Sequence, residues 1–250
     1  MKRLLVLLLS VGIISGILVN SSTSNLSSEQ EMAEKNREKL VSLESKNVTE
    51  IQDSIDKYKE ELEAKNNPSK NTNSAMNFKN IFKDDVFLGD SQSEGLNLYG
   101  FLNDSSVVAK KGKTLNQALN DVNTIKNLSP KRIFVLFGLN DLINYKNLSD
   151  LQRAYGVLID SLKENVPNAK IYVNSMLPAR SDAISKQPLV SLDRNSEGNQ
   201  LIRELCKEKE VEYVDITYIL NENKNLYESD GMHCKPDFYK IWLTKLSSLK

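Results

Sequence analysis

The chain has 250 residues with 33 basic and 33 acidic side chains, so it carries no formal net charge at pH 7. This length allows one or two domains with a sizeable core. Nucleic acid is excluded as the main partner, because binding a phosphate backbone requires a basic field. The chain has one histidine, His233. A multi-histidine metal site is therefore excluded, and any imidazole chemistry must use this residue.

The N-terminus has the pattern of an export signal. Lys2 and Arg3 precede an apolar run from Leu4 to Val19, slightly shorter than the roughly 20 residues that span a bilayer comfortably. We expect residues 1–25 to be a signal peptide, or a signal anchor if they are not cleaved. The basic flank would stay on the inner side and place the remaining chain outside. The protein is thus expected to be exported, either secreted or anchored to the extracytoplasmic face of the cell membrane.

Residues 26–64 are polar and helix-forming. Their apolar side chains recur at alternating spacings of three and four, which is a coiled-coil pattern sustained for about two heptads. These side chains are Val48, Ile51, Ile55, Tyr58 and Leu62. The segment is interpreted either as a helical stalk that forms a homodimer through residues 40–62, or as a helix that packs on its own globular domain. Residues 65–77 are rich in turn-forming residues and predict a linker, so the globular domain is expected at 78–250.

Short apolar strands alternate with amphipathic helices in this domain. Strands are predicted at Val86–Leu88, Ser106–Ala109, Arg132–Phe137, Lys170–Met176 and Val211–Ile216. Helices are predicted at Leu115–Lys126, Leu151–Glu164, Glu197–Lys209 and Asp237–Leu249. The alternation indicates an α/β domain with a parallel, doubly wound, five-stranded sheet. The stretch 177–192 is longer than a usual connection, and we expect it to form a loop over the ligand crevice.

Chemistry-bearing residues follow the first three strands. Ser91 comes where the first strand ends and a helix begins, and its hydroxyl is expected in the crevice outside the strand's carboxyl end. Gly112 follows the second strand, where a glycine allows close backbone approach to a ligand. Asn140 follows the third strand, where its side-chain NH₂ can act as an oxyanion donor or cap a turn.

A carboxylate and the imidazole lie three residues apart near the C-terminus, as Asp230 and His233. This spacing allows the carboxylate to hold one ring nitrogen while the other faces a nucleophile. A serine hydroxyl needs such a base, because it is a weak nucleophile by itself.

These four blocks together resemble the SGNH/GDSL hydrolase family. They are Gly89-Asp90-Ser91, Gly112, Gly138-Leu139-Asn140-Asp141 and Asp230-Gly231-Met232-His233. The resemblance covers residues 78–250 and implies a flavodoxin-like three-layer αβα sandwich with no metal or organic cofactor. The chain departs from the commonest family spelling at Gln92 and Ser93, and we expect these two residues to shape the acyl pocket.

The resemblance also implies a role for each matched residue. Ser91 is the nucleophile, His233 the general base and acid, and Asp230 the residue that orients the imidazole. The oxyanion hole consists of the amides of Ser91 and Gly112 and the side chain of Asn140. The aspartates of the first and third blocks, Asp90 and Asp141, are expected to do structural work as caps or turn holders.

The leading functional expectation is an exported serine esterase that acts on carbohydrate or cell-wall O-acetyl groups. The resemblance supports it, because small exported members of the family often take such substrates. A lipase, lysophospholipase or thioesterase and an O-acetyltransferase are alternatives within the family. A non-enzymatic envelope scaffold with an inactive hydrolase domain is the alternative from a different class.

Two cysteines, Cys206 and Cys234, are too few for a disulfide framework. A single disulfide between them remains an alternative in an exported protein. Cys234 also adjoins the proposed base, and a thiolate there would be a competing nucleophile.

Overall fold

A computed structural model describes residues 76–249, which form a five-stranded parallel sheet flanked by helices. The sheet order is β2-β1-β3-β4-β5, and every neighbouring pair is parallel. The strands are β1 (Asp85–Gly89), β2 (Val107–Ala109), β3 (Arg132–Leu136), β4 (Lys170–Asn174) and β5 (Glu212–Val214). The predicted parallel α/β sheet and its five strands are confirmed.

Ten α-helices connect and cover these strands in the described part of the chain. They are α1 (Phe78–Ile81), α2 (Ser91–Leu98), α3 (Leu115–Ala118), α4 (Val122–Leu128), α5 (Leu139–Asn144), α6 (Leu148–Asn165), α7 (Ser181–Lys186), α8 (Leu192–Glu208), α9 (Thr217–Glu222) and α10 (Pro236–Ser247). Short 3₁₀ turns lie at Asp104–Ser106, Leu119–Asp121, Pro188–Val190 and Lys224–Leu226.

Two sequence-based assignments need correction. The predicted helix 115–126 is divided by a 3₁₀ turn between α3 and α4, and both halves bury apolar residues in the same core. The stretch 177–192 is not an open loop, because it contains α7 and a 3₁₀ turn. Ala183 and Val190 from this stretch are buried, and burial of this apolar surface stabilises the local helical structure.

Successive strand residues face two different apolar layers. Val86 and Leu88 of β1 point into the core formed with α3, α4, α6 and α8. Phe87 points to the opposite core, which contains Phe238 and Trp242 of α10. Because side chains alternate along a strand, the sheet is covered on both sides. The result is the three-layer αβα arrangement.

The sheet order places a ligand crevice between β1 and β3. The chain adds β2 on one side of β1 and then β3 on the other. At such a reversal, the connections leave the carboxyl ends of the two strands in opposite directions and open a crevice. Ser91 follows β1 and Asn140 follows β3, so both lie at this reversal.

No helix within residues 76–249 is long and apolar enough to cross a membrane. The predicted export segment, the coiled-coil stalk and its dimer lie outside the described residues. Most of the predicted linker does so as well.

Candidate active site

Ser91 lies at the junction of β1 and α2. The strand is fully buried and ends at Gly89, and Asp90 is the N-cap of the helix. The Asp90 carboxylate accepts a hydrogen bond from the Gln92 amide at 2.9 Å, which satisfies one donor of the first helical turn. Ser91 is the first helical residue. Its own N–H therefore has no intrahelical acceptor and is available to a ligand.

Asp230 and His233 lie on a short loop before α10. One oxygen of the carboxylate, Oδ1, accepts hydrogen bonds from the backbone N–H groups of Met232 and His233, both at 2.9 Å. Gly231 has a φ of +72°, a conformation that favours glycine. The carboxylate and the glycine thus shape the turn that carries the imidazole.

The hydroxyl, imidazole and carboxylate of the three predicted catalytic residues form a continuous chain of hydrogen-bond contacts. His233 Nε2 lies 3.0 Å from Ser91 Oγ, and Nδ1 lies 2.5 Å from Asp230 Oδ2. An ionised carboxylate only accepts hydrogen bonds, so Nδ1 donates to it, and in the neutral imidazole Nε2 is then the nitrogen that accepts from the Ser91 hydroxyl. The His233 and Asp230 side chains are 40% and 47% exposed. The site therefore opens directly to solvent.

Hydrogen bonds keep Asp230 ionised. Partial burial favours the neutral acid, but the His233 imidazole and the amides of Met232 and His233 donate to the carboxylate and outweigh burial. The pKa of Asp230 is consequently lowered to about 2. At neutral pH the carboxylate can both orient the imidazole and stabilise an imidazolium.

Gly112 lies in the turn that follows β2. The Lys113 N–H donates to the Lys110 carbonyl at 3.0 Å, and Gly112 has a φ of +76°, which favours glycine at this position. The Glu94 carboxylate of α2 accepts a hydrogen bond from the Lys111 amide at 2.8 Å and connects the turn to the helix that begins at Ser91. Within the described part of the chain, the Gly112 amide has no hydrogen-bond acceptor.

Asn140 contacts both the residue before Ser91 and the turn that contains Gly112. Its Nδ2 donates to Asp90 Oδ2 and to the Lys113 carbonyl, both at 3.3 Å. These contacts are longer than the roughly 2.9 Å of a typical N–H···O bond. We interpret them as weak contacts that a stronger acceptor, such as an oxyanion, would replace.

If Asn140 is an oxyanion donor, as the family resemblance implies, replacing it by alanine is expected to lower kcat on p-nitrophenyl acetate by about 100-fold or more. The variant should still fold, since the two hydrogen bonds it loses are long. Asn165→Ala is the matched control, because the Asn165 Nδ2 also donates to a backbone carbonyl but on α6, away from the crevice. Full activity of Asn140→Ala would remove this residue from the oxyanion hole.

Two buried carboxylates hold the backbone next to the site residues. Asp90 caps α2, and Asp141 Oδ1 accepts from the Leu115 amide at the start of α3 at 3.1 Å. Burial raises the pKa of Asp90 to about 6, against hydrogen bonds from Gln92 and Asn140. Burial and the nearby Asp90 raise the pKa of Asp141 to about 7. Through these hydrogen bonds, Asp90 caps a helix and Asp141 holds the start of another, as expected of them.

The raised pKa of Asp141 makes stability depend on pH. The folded state keeps a proton up to about pH 7 that an unfolded aspartate releases near pH 4. Its contribution is fully present below the unfolded pKa and is lost as pH rises toward 7. Relative to Asp141→Asn, wild type should therefore become less stable between pH 4 and pH 7. Urea unfolding of both proteins across this range measures the effect, and a constant difference would contradict it.

Neither cysteine competes with Ser91. Both thiols are free and buried, and they lie in different core clusters on opposite faces of the sheet. The alternative of a Cys206–Cys234 disulfide is therefore wrong for this structure. Burial raises the pKa of the Cys206 thiol to about 12 and raises that of Cys234 further. A reactive thiolate beside His233 is disfavoured.

Gln92 and Ser93 do not shape an acyl pocket, which corrects the expectation from sequence. Ser93 is completely buried, and Gln92 is 4% exposed. The Gln92 side chain instead donates to the Met232 carbonyl at 2.7 Å. Sequence reasoning also missed Glu94 and Arg180. Glu94 could have been noticed from its place on the first turn of α2, whereas no local pattern marks Arg180.

Residues 76–249 contain no group of three or more histidine, cysteine or acidic side chains that could hold a metal ion.

The fold and the aligned hydroxyl, imidazole and carboxylate define an acylhydrolase-like α/β protein. The model of the GDSL-like Lipase/Acylhydrolase family matches residues 87–241, and the chain belongs to this family. Membership implies ester hydrolase activity. A search of curated proteins finds no match.

Solved structures of low sequence identity share the fold. A lipase/acylhydrolase from Enterococcus faecalis is 14% identical with a TM-score of 0.51, covering 65% of this chain and 92% of that one. A GDSL-like lipase from Bacteroides thetaiotaomicron is 20% identical with a TM-score of 0.51, covering 74% and 94% respectively. At these identities the similarity establishes the fold.

Proposed function

We propose that this protein is an exported serine esterase that hydrolyses carboxylic esters through an acyl-serine intermediate. The observation that carries the proposal is the contact of His233 Nε2 with Ser91 Oγ at 3.0 Å, with Asp230 on the other ring nitrogen. A nucleophile, its base and the group that orients the base are thus within hydrogen-bond reach.

Acylation begins when the Ser91 hydroxyl loses its proton to His233 Nε2 as Oγ attacks the ester carbonyl. Asp230 holds Nδ1–H and stabilises the imidazolium that forms. The tetrahedral oxyanion accepts hydrogen bonds from the backbone N–H groups of Ser91 and Gly112 and from Asn140 Nδ2. The imidazolium then protonates the leaving alcohol as the carbonyl–oxygen bond breaks.

Deacylation repeats these steps with water as the nucleophile. His233 takes a proton from water, and the resulting hydroxide attacks the acyl-serine. The imidazolium returns the proton to Ser91 Oγ as the acid leaves. The open position of the side chains, with His233 40% exposed, supports access of water and of a bulky substrate.

The substrate we propose is an O-acetyl group on a carbohydrate, with cell-wall polysaccharide as the leading candidate. Two features support this assignment. The N-terminal sequence is typical of export, and the half-exposed imidazole and carboxylate leave room for a polymer at the crevice.

A series of p-nitrophenyl esters with increasing acyl length tests the proposal, with Ser91→Ala as the control. We expect kcat/KM to be highest for acetate and to fall with chain length. A preference for long chains would instead support a lipase. Covalent labelling by a fluorophosphonate probe tests the serine mechanism separately, and an unlabelled wild-type protein would favour the scaffold alternative. Transfer of acetyl to a glycan rather than to water would identify an acetyltransferase.

A further inference from the structure

The loop that carries Asp230 and His233 is held by side chains outside the three catalytic residues. The Arg180 guanidinium donates to the Glu228 carbonyl at 3.2 Å and to the Ser229 carbonyl at 3.0 Å. The Arg180 backbone N–H donates to the Gly231 carbonyl at 2.8 Å. Arg180, a single residue after β4, thus contacts the backbone carbonyls of three residues that flank Asp230 on both sides in the chain.

The guanidinium is itself fixed in place by its neighbours. Asp182 accepts from Arg180 Nε at 2.6 Å and from Nη2 at 2.9 Å, which is the bidentate geometry that guanidinium groups favour. The guanidinium also lies 5.8 Å from the centre of the Tyr227 ring. Two carbonyl contacts, one bidentate carboxylate and one aromatic ring restrict its orientation.

Gln92 holds the same loop through a separate contact. It follows Ser91 directly, and its Nε2 donates to the Met232 carbonyl at 2.7 Å. Because Gln92 is 4% exposed, this hydrogen bond is sheltered from water. It connects the residue after the nucleophile to the residue before the base.

We propose that Arg180 and Gln92 are positioning residues that set the distance between His233 Nε2 and Ser91 Oγ. Arg180 fixes the carboxylate end of the loop, and Gln92 fixes the imidazole end to the helix of the nucleophile. The loop needs such ties, since its Asp230 and His233 side chains are about half exposed and gain little from packing. The proposed effect on catalysis rests on the proposed function.

The histidine count allows a direct test that does not depend on activity. His233 is the one histidine of the chain, so a tag-free, ¹⁵N-histidine-labelled full-length protein gives imidazole NMR signals from this residue alone. Ser91→Ala provides the reference spectrum for loss of the Nε2 contact. We expect Arg180→Met and Gln92→Leu to shift the imidazole signals in the direction of the Ser91→Ala spectrum, or to broaden them.

The chain offers a matched control for each variant. Arg203 also pairs with an aspartate and lies 4.9 Å from the centre of the Tyr213 ring, and Gln152 Nε2 donates to the Leu201 carbonyl at 3.0 Å. Neither contacts the catalytic loop. Arg203→Met and Gln152→Leu should leave the imidazole signals at their wild-type positions.

Hydrolysis of p-nitrophenyl acetate gives the second readout. We expect Arg180→Met and Gln92→Leu each to lower kcat by about 10-fold to 100-fold, because misplacement of a reacting group by about 1 Å has effects of this size. KM should stay within about twofold, since the acyl-binding groups are untouched. Arg180→Lys, which keeps the charge on a single donor nitrogen, should recover part of the lost kcat.

Wild-type imidazole signals in folded Arg180→Met and Gln92→Leu would overturn the positioning roles. If the wild-type protein is an active esterase, wild-type kcat in both variants would overturn them as well. If Arg180→Met does not fold, Arg180→Lys and Gln92→Leu carry the same comparison. If wild type and Ser91→Ala are equally inactive, the proposed function fails, and the imidazole signals alone decide the positioning proposal.

Discussion

Replacing Ser91 by alanine is expected to lower kcat on p-nitrophenyl acetate by about 10⁶-fold, the size of effect seen when residues of such a unit are removed singly. The reason is that, in the proposed mechanism, Oγ is the atom that bonds to the acyl group. His233→Ala should have a similar effect, because without Nε2 the hydroxyl keeps its proton. The double variant should be hardly worse than either single variant, since the two groups act as one unit.

Ser93→Ala is the control for this series. Ser93 lies two residues further along the same helix but is completely buried, so its hydroxyl cannot reach a substrate. The variant should keep wild-type kcat and should still react with a fluorophosphonate probe. Labelling of Ser91→Ala at the wild-type rate would place the nucleophile elsewhere in the chain.

Replacing Trp242 by alanine is expected to lower the free energy of unfolding by about 3–5 kcal/mol, the usual cost of removing a large aromatic side chain from a core. Trp242 is fully buried on α10, with its ring 5.8 Å from that of Phe87 in an edge-to-face arrangement. Its Nε1 donates to Asn174 Oδ1 at 3.0 Å. The substitution thus creates a cavity and also leaves a buried acceptor without its donor.

Urea unfolding followed by circular dichroism measures this loss. Tryptophan fluorescence cannot serve as the probe, because Trp242 is the chain's only tryptophan and the variant lacks it. Ile241→Ala is the matched control on the same helix, because Ile241 is 41% exposed. Its effect should stay within about 0.5 kcal/mol, as for most surface substitutions. Equal losses for the two variants would contradict the packing described for this face of the sheet.

The strands were predictable because burial on both faces leaves a clear local signal. A parallel strand covered by two helical layers reads as a short apolar run, as in Arg132–Leu136. The break between α3 and α4 had no comparable signal. Residues on both sides of it are apolar at helical spacing, and the 3₁₀ turn depends on how the two halves fit the shared core.

The sequence around Ser91 does not distinguish positions that face the substrate from positions that are buried. Gln92 and Ser93 are polar and follow Ser91, which suggested an exposed role at the acyl pocket. The packing of α2 against β1 and α10 places both inside the protein instead. A polar residue next to Ser91 can face the crevice or bond to a buried backbone carbonyl, and the helix that packs over it decides which.

The sequence by itself determined the set of chemical groups available for ester hydrolysis. Ser91 at a strand end, a single imidazole and a carboxylate three residues before it are local features, readable because they depend on residue type and short spacing. Only the tertiary structure decided that the imidazole meets the hydroxyl at 3.0 Å across 142 residues. That distance depends on how the sheet, α2 and the Arg180 and Gln92 contacts fit together, and no local pattern encodes such long-range packing.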